Sequence, residues 1–420
     1  MPCGGNWRVS PIRKRWLMLS DRSWQGLWRL VALGILLCYP IMVVKWIPFG
    51  GGARYLNVLA APVCLVLLWQ APREEIRGLL MSAVRWGMPF LPFVLMWTIA
   101  QLWHGYDPLD LNPPMRLLWC ALLFLGARLA GVSYRHLAIV AAIGAVVYCG
   151  VALVEVYGLG RARAWGGTYE NRFGQFSIWV ASLCFLHVFL EKGKSESRSV
   201  NTLLLLAGVL GCISTWLSGS RGALLALLVL IAIAFFRATN RRRGLLLAIV
   251  MISAVLAFCL LYAPMYQRLE LTFGEAKAYF NEADFSPTSI GIRLELYRIA
   301  FLTLLEHPVI GPGYTSLNQL YETHPAFGVA RPEMLDIPGF HNDWAQAIGI
   351  GGGLLLVSLV GTCLWMGRSA LRNVYQLAFL GFAVIFSFSE IFFTNKLGLS
   401  LLMASWALYA AAEQNQERSA

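Results

Sequence analysis

The sequence predicts an all-α fold: a polytopic membrane helical bundle of about 12 transmembrane helices with one large, helix-containing external loop. Three observations predict it. Of the 420 residues, 58% are hydrophobic and only 13% charged, too few charges to coat a water-soluble surface of that size. Apolar runs recur from residue 27 to residue 412, each near the ~20 residues a helix needs to cross ~30 Å of hydrocarbon. The runs are continuous rather than alternating, which sets aside a β-barrel.

In chain order, a polar, basic segment (1–26) comes first, without the short apolar run and small-residue cleavage site of a signal peptide. Nine spans follow within 27–264, near 27–46, 54–70, 86–103, 115–132, 136–158, 173–190, 202–217, 221–236 and 244–264. Residues 265–345 form the large loop. The last three spans fall within 346–412, near 346–366, 374–391 and 396–412, and 413–420 form a tail. Within the loop, 288–305 has the period of a helix, with Thr288 or Ser289 as its cap and Pro308 and the Gly311-Pro312-Gly313 turn as its end. A loop of this length is usually functional.

Charge sets the orientation. The net charge of +12 would suggest nucleic acid in a soluble chain, but here the basic residues collect on alternate connections, as the positive-inside rule requires. Arg13, Lys14, Arg15, Arg73, Arg77, Arg85, Arg128, Arg135, Lys192, Lys194 and Arg241 to Arg243 all fall inside when the N-terminus is cytoplasmic. The loop 265–345 is then outside. Most of the nine cysteines lie in apolar runs and read as small buried hydrophobes. With no Cys-x-x-Cys or His-x-x-x-His pair, a metal site is not expected.

The basic residues left outside carry the functional signal. They are Arg161, Arg163, Arg172, Arg221, Arg293, Arg298 and Arg331, and each runs against the charge bias. Even-numbered spans enter from outside, so Arg161 and Arg163 precede one outward helix N-terminus, Ser218-Gly219-Ser220-Arg221-Gly222 opens another, and His341-Asn342-Asp343 opens a third. A helix N-terminus with its unpaired N–H groups, reinforced by arginine, makes an anion site suited to phosphate. The competing reading of an interfacial arginine is snorkelling to lipid headgroups. For Arg293 the competitor is an ion pair with Glu295, while Arg298 pairs with Glu295 at i,i+3. Among six histidines, His341 stands apart at the junction of loop and helix, a setting suited to a general base or to a capping role.

Three motifs resemble one known family. Ser218-Gly219-Ser220-Arg221-Gly222-Ala223-Leu224-Leu225-Ala226 is similar to the core motif of the O-antigen ligase and polymerase superfamily. So is Arg293 in Gly291-Ile292-Arg293-Leu294-Glu295, followed by Pro308 to Tyr314, and so is His341-Asn342-Asp343-Trp344 at the end of the large loop. The similarity covers roughly 145–350; the first half of the chain matches only in hydropathy. This resemblance implies a bacterial inner-membrane glycosyltransferase of the lipid-carrier-dependent type, with the large loop periplasmic. Its donor is undecaprenyl-pyrophosphate-linked O-antigen and its acceptor a sugar hydroxyl of lipid A–core, among membrane lipids. The reaction it implies inverts the anomeric centre and needs no metal, ATP or other cofactor. Carried onto this chain, Arg221 and Arg293 match essential arginines and His341 the catalytic histidine. Arg161 and Arg163 match further arginines before Gly166-Gly167-Thr168 and Asn171-Arg172-Phe173-Gly174, a more divergent stretch. Arginines would then stabilise the departing pyrophosphate while His341 takes the acceptor proton.

Other functions remain open on the sequence. An O-antigen polymerase is one, and Arg163 with Gly174 fits its Arg-x10-Gly spacing. A protein O-oligosaccharyltransferase is a second. A lipid or solute transporter is a third, though transporters hold ionisable groups near the midplane, and here the polar groups gather at one face, with Glu155 inside a span near its external end.

Overall fold

The computed structural model describes residues 34–35, 60–104, 112–190, 197–220, 222–223, 226–227, 232–233, 249, 263–281, 289–313 and 339–419. Every regular element among them is helical. They are α1 (Ala61–Gln70), α2 (Arg73–Gly87), α3 (Leu91–Trp103), α4 (Asn112–Ala130), α5 (Tyr134–Leu153) and α6 (Glu170–Leu190). Then come α7 (Arg198–Ser218), α8 (Ala263–Asn281), α9 (Ser289–Glu306), α10 (Asp343–Ala370), α11 (Val374–Ser389) and α12 (Lys396–Ser419). Among the described residues, five stretches are long and apolar enough to cross a membrane: Arg73–Trp103, Tyr134–Gly158, Glu170–Leu190, Arg198–Ser218 and Asp343–Ala370. The shorter helices α1 and α11 are also apolar. Expected spans 27–46 and 244–264 lie almost wholly outside the described residues, and most of 221–236 does too.

The helix ends follow from local chemistry. Ser133 opens α5 with a reciprocal cap involving His136. Ser197 caps α7, and Gly219, left-handed at φ 63°, closes it. Asn373 accepts from the backbone N–H groups of Tyr375 and Gln376 at the start of α11.

Two expectations change. Residues 71–85, expected as a cytoplasmic connection, are mostly helix: α2 continues into α3 through a single 3₁₀ turn at Met88–Phe90. Pro89 and Pro92 withhold backbone donors there, so the helix tightens and bends without ending. The span expected at 346–366 is longer at both ends, and it is broken. At 28 residues, α10 would be about 42 Å long if straight. Gly352 (φ 64°, ψ −158°) interrupts it.

The segment after α9 takes up the backbone groups that this break releases. Gly313 N–H donates to Ile350 O at 2.9 Å, Gly353 N–H to Pro308 O at 3.0 Å and Leu354 N–H to Val309 O at 3.2 Å. His104, at the end of α3, lies 2.6 Å from Gly311 O through its Nε2. A side chain at Gly352 would meet the Gly311 amide and Val309 carbonyl at 2.8 Å, so glycine is required.

The interior centres on α6, which is buried on nearly every side. Its Trp179 packs against Phe379 and Phe382 of α11 and Tyr409 of α12. α6 pairs with α7, α5 packs on both, and α4 packs on α12. α10 lies between α3, α9 and α11, which brings the loop helix to the bundle.

Candidate functional site

The site forms where α6, α7, α9, α10 and α11 end near one another. Asn342 caps α10 by accepting from Trp344 N–H at 2.8 Å and Ala345 N–H at 3.1 Å. With the cap supplied by its neighbour, His341 is left to other work. It is the one non-glycine residue with positive φ among the described residues, at 51°. A histidine held in the left-handed region signals a position fixed by its surroundings.

Those surroundings are the connector 390–395 between α11 and α12. Asp343, fully buried, accepts from the N–H groups of Phe392, Phe393 and Thr394 at 2.6, 2.8 and 2.8 Å, and from the Thr394 hydroxyl at 2.7 Å. Four hydrogen bonds to one carboxylate fix the connector against the first turn of α10. The residue so placed is Glu390, only 7% exposed.

Glu390 is the hub. The Asn171 side-chain amide donates to it at 3.0 Å, the Arg293 guanidinium lies at 3.7 Å, and His341 Nδ1 at 3.8 Å. Arg293 also donates to Ser389 O at 2.7 Å. Arg163 joins through Asn171, donating to its side-chain oxygen at 3.2 Å, and donates to Ser218 O at 2.7 Å. Burial pushes the Glu390 carboxyl up. The His341 imidazole, the Asn171 hydrogen bond and the Arg293 charge push it down and prevail, so it sits below its ordinary value.

Of the residues picked out in the sequence, Arg163, Arg293 and His341 therefore share one cluster. Arg293 does not pair with Glu295, because Arg298 holds that carboxylate at 2.6 Å and the Tyr279 hydroxyl donates to it at 3.0 Å. Arg161 goes elsewhere. It pairs with Glu155 at 3.2 Å and lies 4.5 Å over the Trp165 ring. Glu155 also accepts from Trp165 N–H at 2.7 Å and Gly166 N–H at 3.0 Å, so this buried acid fastens the turn after α5.

Arg221 lies outside the described residues, but its flanks touch the cluster. The Ser220 hydroxyl donates to Asn171 O at 3.3 Å, and Gly222 packs against the Ser389 side chain. Gly174 sits where any side chain would collide with Ser218 and Ser220, so the Arg-x10-Gly spacing has a packing reason: α6 must approach the α7 turn closely.

Glu390 and Asn171 were not singled out as site residues in the sequence. The signal for Glu390 exists: between residues 373 and 412, Glu390 and Lys396 are the only charged residues, and a lone acid in an apolar stretch asks for a functional reason. Away from this cluster, an apolar cleft of about 640 Å³ opens between α2, α3 and α4, lined by Leu80, Val84, Met88, Leu91 and Leu118 among others.

Residues 206–360 match the family model described as O-antigen ligase, a stretch that takes in the last thirteen residues of α7, all of α9, the cluster residues Arg293 and His341, and the broken part of α10. The chain is also 23% identical over 284 residues to an uncharacterised protein of Haemophilus influenzae, covering 65% of this chain and 69% of that one.

Proposed function

We propose that this chain, whose residues 206–360 match the O-antigen ligase family model, is an O-antigen ligase of that superfamily of membrane glycosyltransferases. It transfers O-antigen polysaccharide from undecaprenyl pyrophosphate to a sugar hydroxyl of lipid A–core, at the periplasmic face of the bacterial inner membrane. The observation that carries this reading is the convergence of Arg293, His341 and, through Asn171, Arg163 on the buried Glu390.

The chemistry follows from what the donor needs. Its sugar–pyrophosphate bond is already activated, so transfer requires stabilisation of the leaving diphosphate and removal of one proton. In the proposed mechanism the bond from the anomeric carbon to the pyrophosphate oxygen breaks as the acceptor oxygen attacks from the opposite side, inverting the centre. Arg293 faces the growing negative charge, with Arg163 and Arg221 and, less centrally, Arg161 contributing to the same field. His341 accepts the proton of the attacking hydroxyl. Glu390 touches neither substrate in this scheme; it holds the imidazole and the Arg293 guanidinium in register. The apolar cleft between α2, α3 and α4 has room for hydrocarbon.

Deleting the gene and resolving lipopolysaccharide on a gel tests the assignment. The ligase reading requires long O-antigen to accumulate on the carrier lipid above a bare core. Core bearing one repeat unit would make the chain a polymerase instead, and unaltered lipopolysaccharide would remove it from this pathway.

A further inference from the structure

The loop helix α9 has an outward side that a water-facing helix would not carry. Phe301 and Leu305, one turn apart, are 57% and 63% exposed, and Val309, just past the helix end, is 58% exposed. This apolar strip does not stop at α9. Val309 O accepts from Leu354 N–H, and Leu354 begins the exposed stripe of α10 that continues through Val357, Val360 and Leu364. In a membrane-spanning helix that stripe faces lipid.

Depth can be reckoned along α10. The first charged side chain towards its far end is Arg368, 14 residues beyond Leu354. That is about 21 Å of helix, short of the ~30 Å of hydrocarbon. Leu354, and Val309 bonded to it, therefore fall at lipid depth. Irregular backbone is tolerated there only when its polar groups are met within the protein. Within 308–313 the carbonyls of Pro308 and Val309 and the Gly313 amide bond to the broken part of α10, and the Gly311 carbonyl to His104.

We propose that α9 lies in the membrane interface rather than standing off it, with Phe301, Leu305 and Val309 in contact with the hydrocarbon of the leaflet. Arg298, tied to Glu295, and Glu306 flank the apolar strip and mark the headgroup level, as in other interfacial helices. Arg293 on the same helix then sits at the height of lipid phosphates. Resting on the glycosyl-transfer reading, a lipid-linked diphosphate meets Arg293 by moving sideways in the leaflet, with no need to lift its headgroup into water.

Spin labels test the seating without reference to activity. Phe301→Cys and Leu305→Cys are made in the full chain with its nine native cysteines replaced, labelled, and reconstituted in phospholipid vesicles. Val357→Cys serves as the lipid-facing control and Arg418→Cys as the exposed one. The expected result is that labels at 301 and 305 relax with membrane-dissolved oxygen, as at 357, and respond at least several-fold less to an aqueous nickel chelate than at 418. Labels open to the chelate would overturn the proposal, and so would labels shielded from both agents, because protein would then cover the strip. Lipid contact at 301 and 305 in a protein whose wild-type form shows no transferase activity would count against the functional reading alone.

Discussion

Replacing Glu390 with Gln removes one negative charge while keeping the shape and the acceptor for Asn171. Arg293, 3.7 Å away, loses its only carboxylate among the described contacts, and His341 loses the group 3.8 Å from Nδ1. A unit charge pair at about 4 Å is worth roughly 4 kcal/mol at an effective dielectric of 20. The Arg293 and His341 side chains keep 22% and 34% of their exposure, so water screens part of that. Desolvation of the Glu390 carboxylate offsets more. A net loss of about 1–3 kcal/mol remains, read as a fall of a few degrees in the melting temperature of the detergent-solubilised protein. Turnover should fall further, by about 10- to 100-fold, because a shift of 1 Å in a reacting group costs on the order of 10². Melting is followed by tryptophan fluorescence and turnover by product formation from lipid-linked donor. A Gln variant with both wild-type melting and wild-type turnover would refute the role of this charge in organising the site.

Three further outcomes are expected. His341→Ala should cut transfer by about 10²- to 10⁴-fold while donor binding stays within twofold, and retained activity would remove the imidazole from the mechanism. Gly352→Ala combines the strain of an essentially glycine-only backbone conformation, about 1–3 kcal/mol, with contacts at 2.8 Å to backbone atoms of 309 and 311, so it should destabilise the fold by at least about 2 kcal/mol; an unchanged melting temperature would show that the break in α10 is not locked as described. Glu390 is held below its ordinary value, so its stabilising contribution is whole above the unfolded carboxylate value of about 4.3 and is lost as pH falls through the folded one. Acid melting curves of wild type and Glu390→Gln should therefore converge at low pH, and a constant gap down to acid would contradict the shift.

Hydropathy carried the helices that cross the bundle. The runs 136–158, 173–190 and 202–217 correspond to helices spanning 134–158, 170–190 and 198–218, and the loop helix expected at 288–305 is α9 at 289–306. Apolar length and end caps are local properties, so one sequence suffices to read them. The α2–α3 continuation was hidden because Arg73, Arg77 and Arg85 look like a cytoplasmic loop, whereas arginines on a helix can reach past apolar neighbours to the interface. The Gly351-Gly352-Gly353 run marks a weak point in α10, but the partner that makes it a break, 308–313, is about forty residues away and invisible to any local pattern. His341 was legible from its junction with a helix N-terminus. Glu390 was legible only as a lone acid in an apolar stretch, because its role comes from three elements meeting at one carboxylate, and Asn171 stood in a family-like stretch with nothing local to show that its amide reaches that acid.

In the proposed function this cluster moves a glycan from a lipid pyrophosphate onto a sugar hydroxyl. The most direct measurement combines purified protein, undecaprenyl-pyrophosphate-linked O-antigen and lipid A–core in one vesicle, and follows free carrier diphosphate and glycosylated core together by mass spectrometry. The two products should appear one for one, and both should fall by at least about 10²-fold in the Arg293→Ala and His341→Ala proteins. Carrier diphosphate released without glycosylated core, or full product from those variants, would contradict that function.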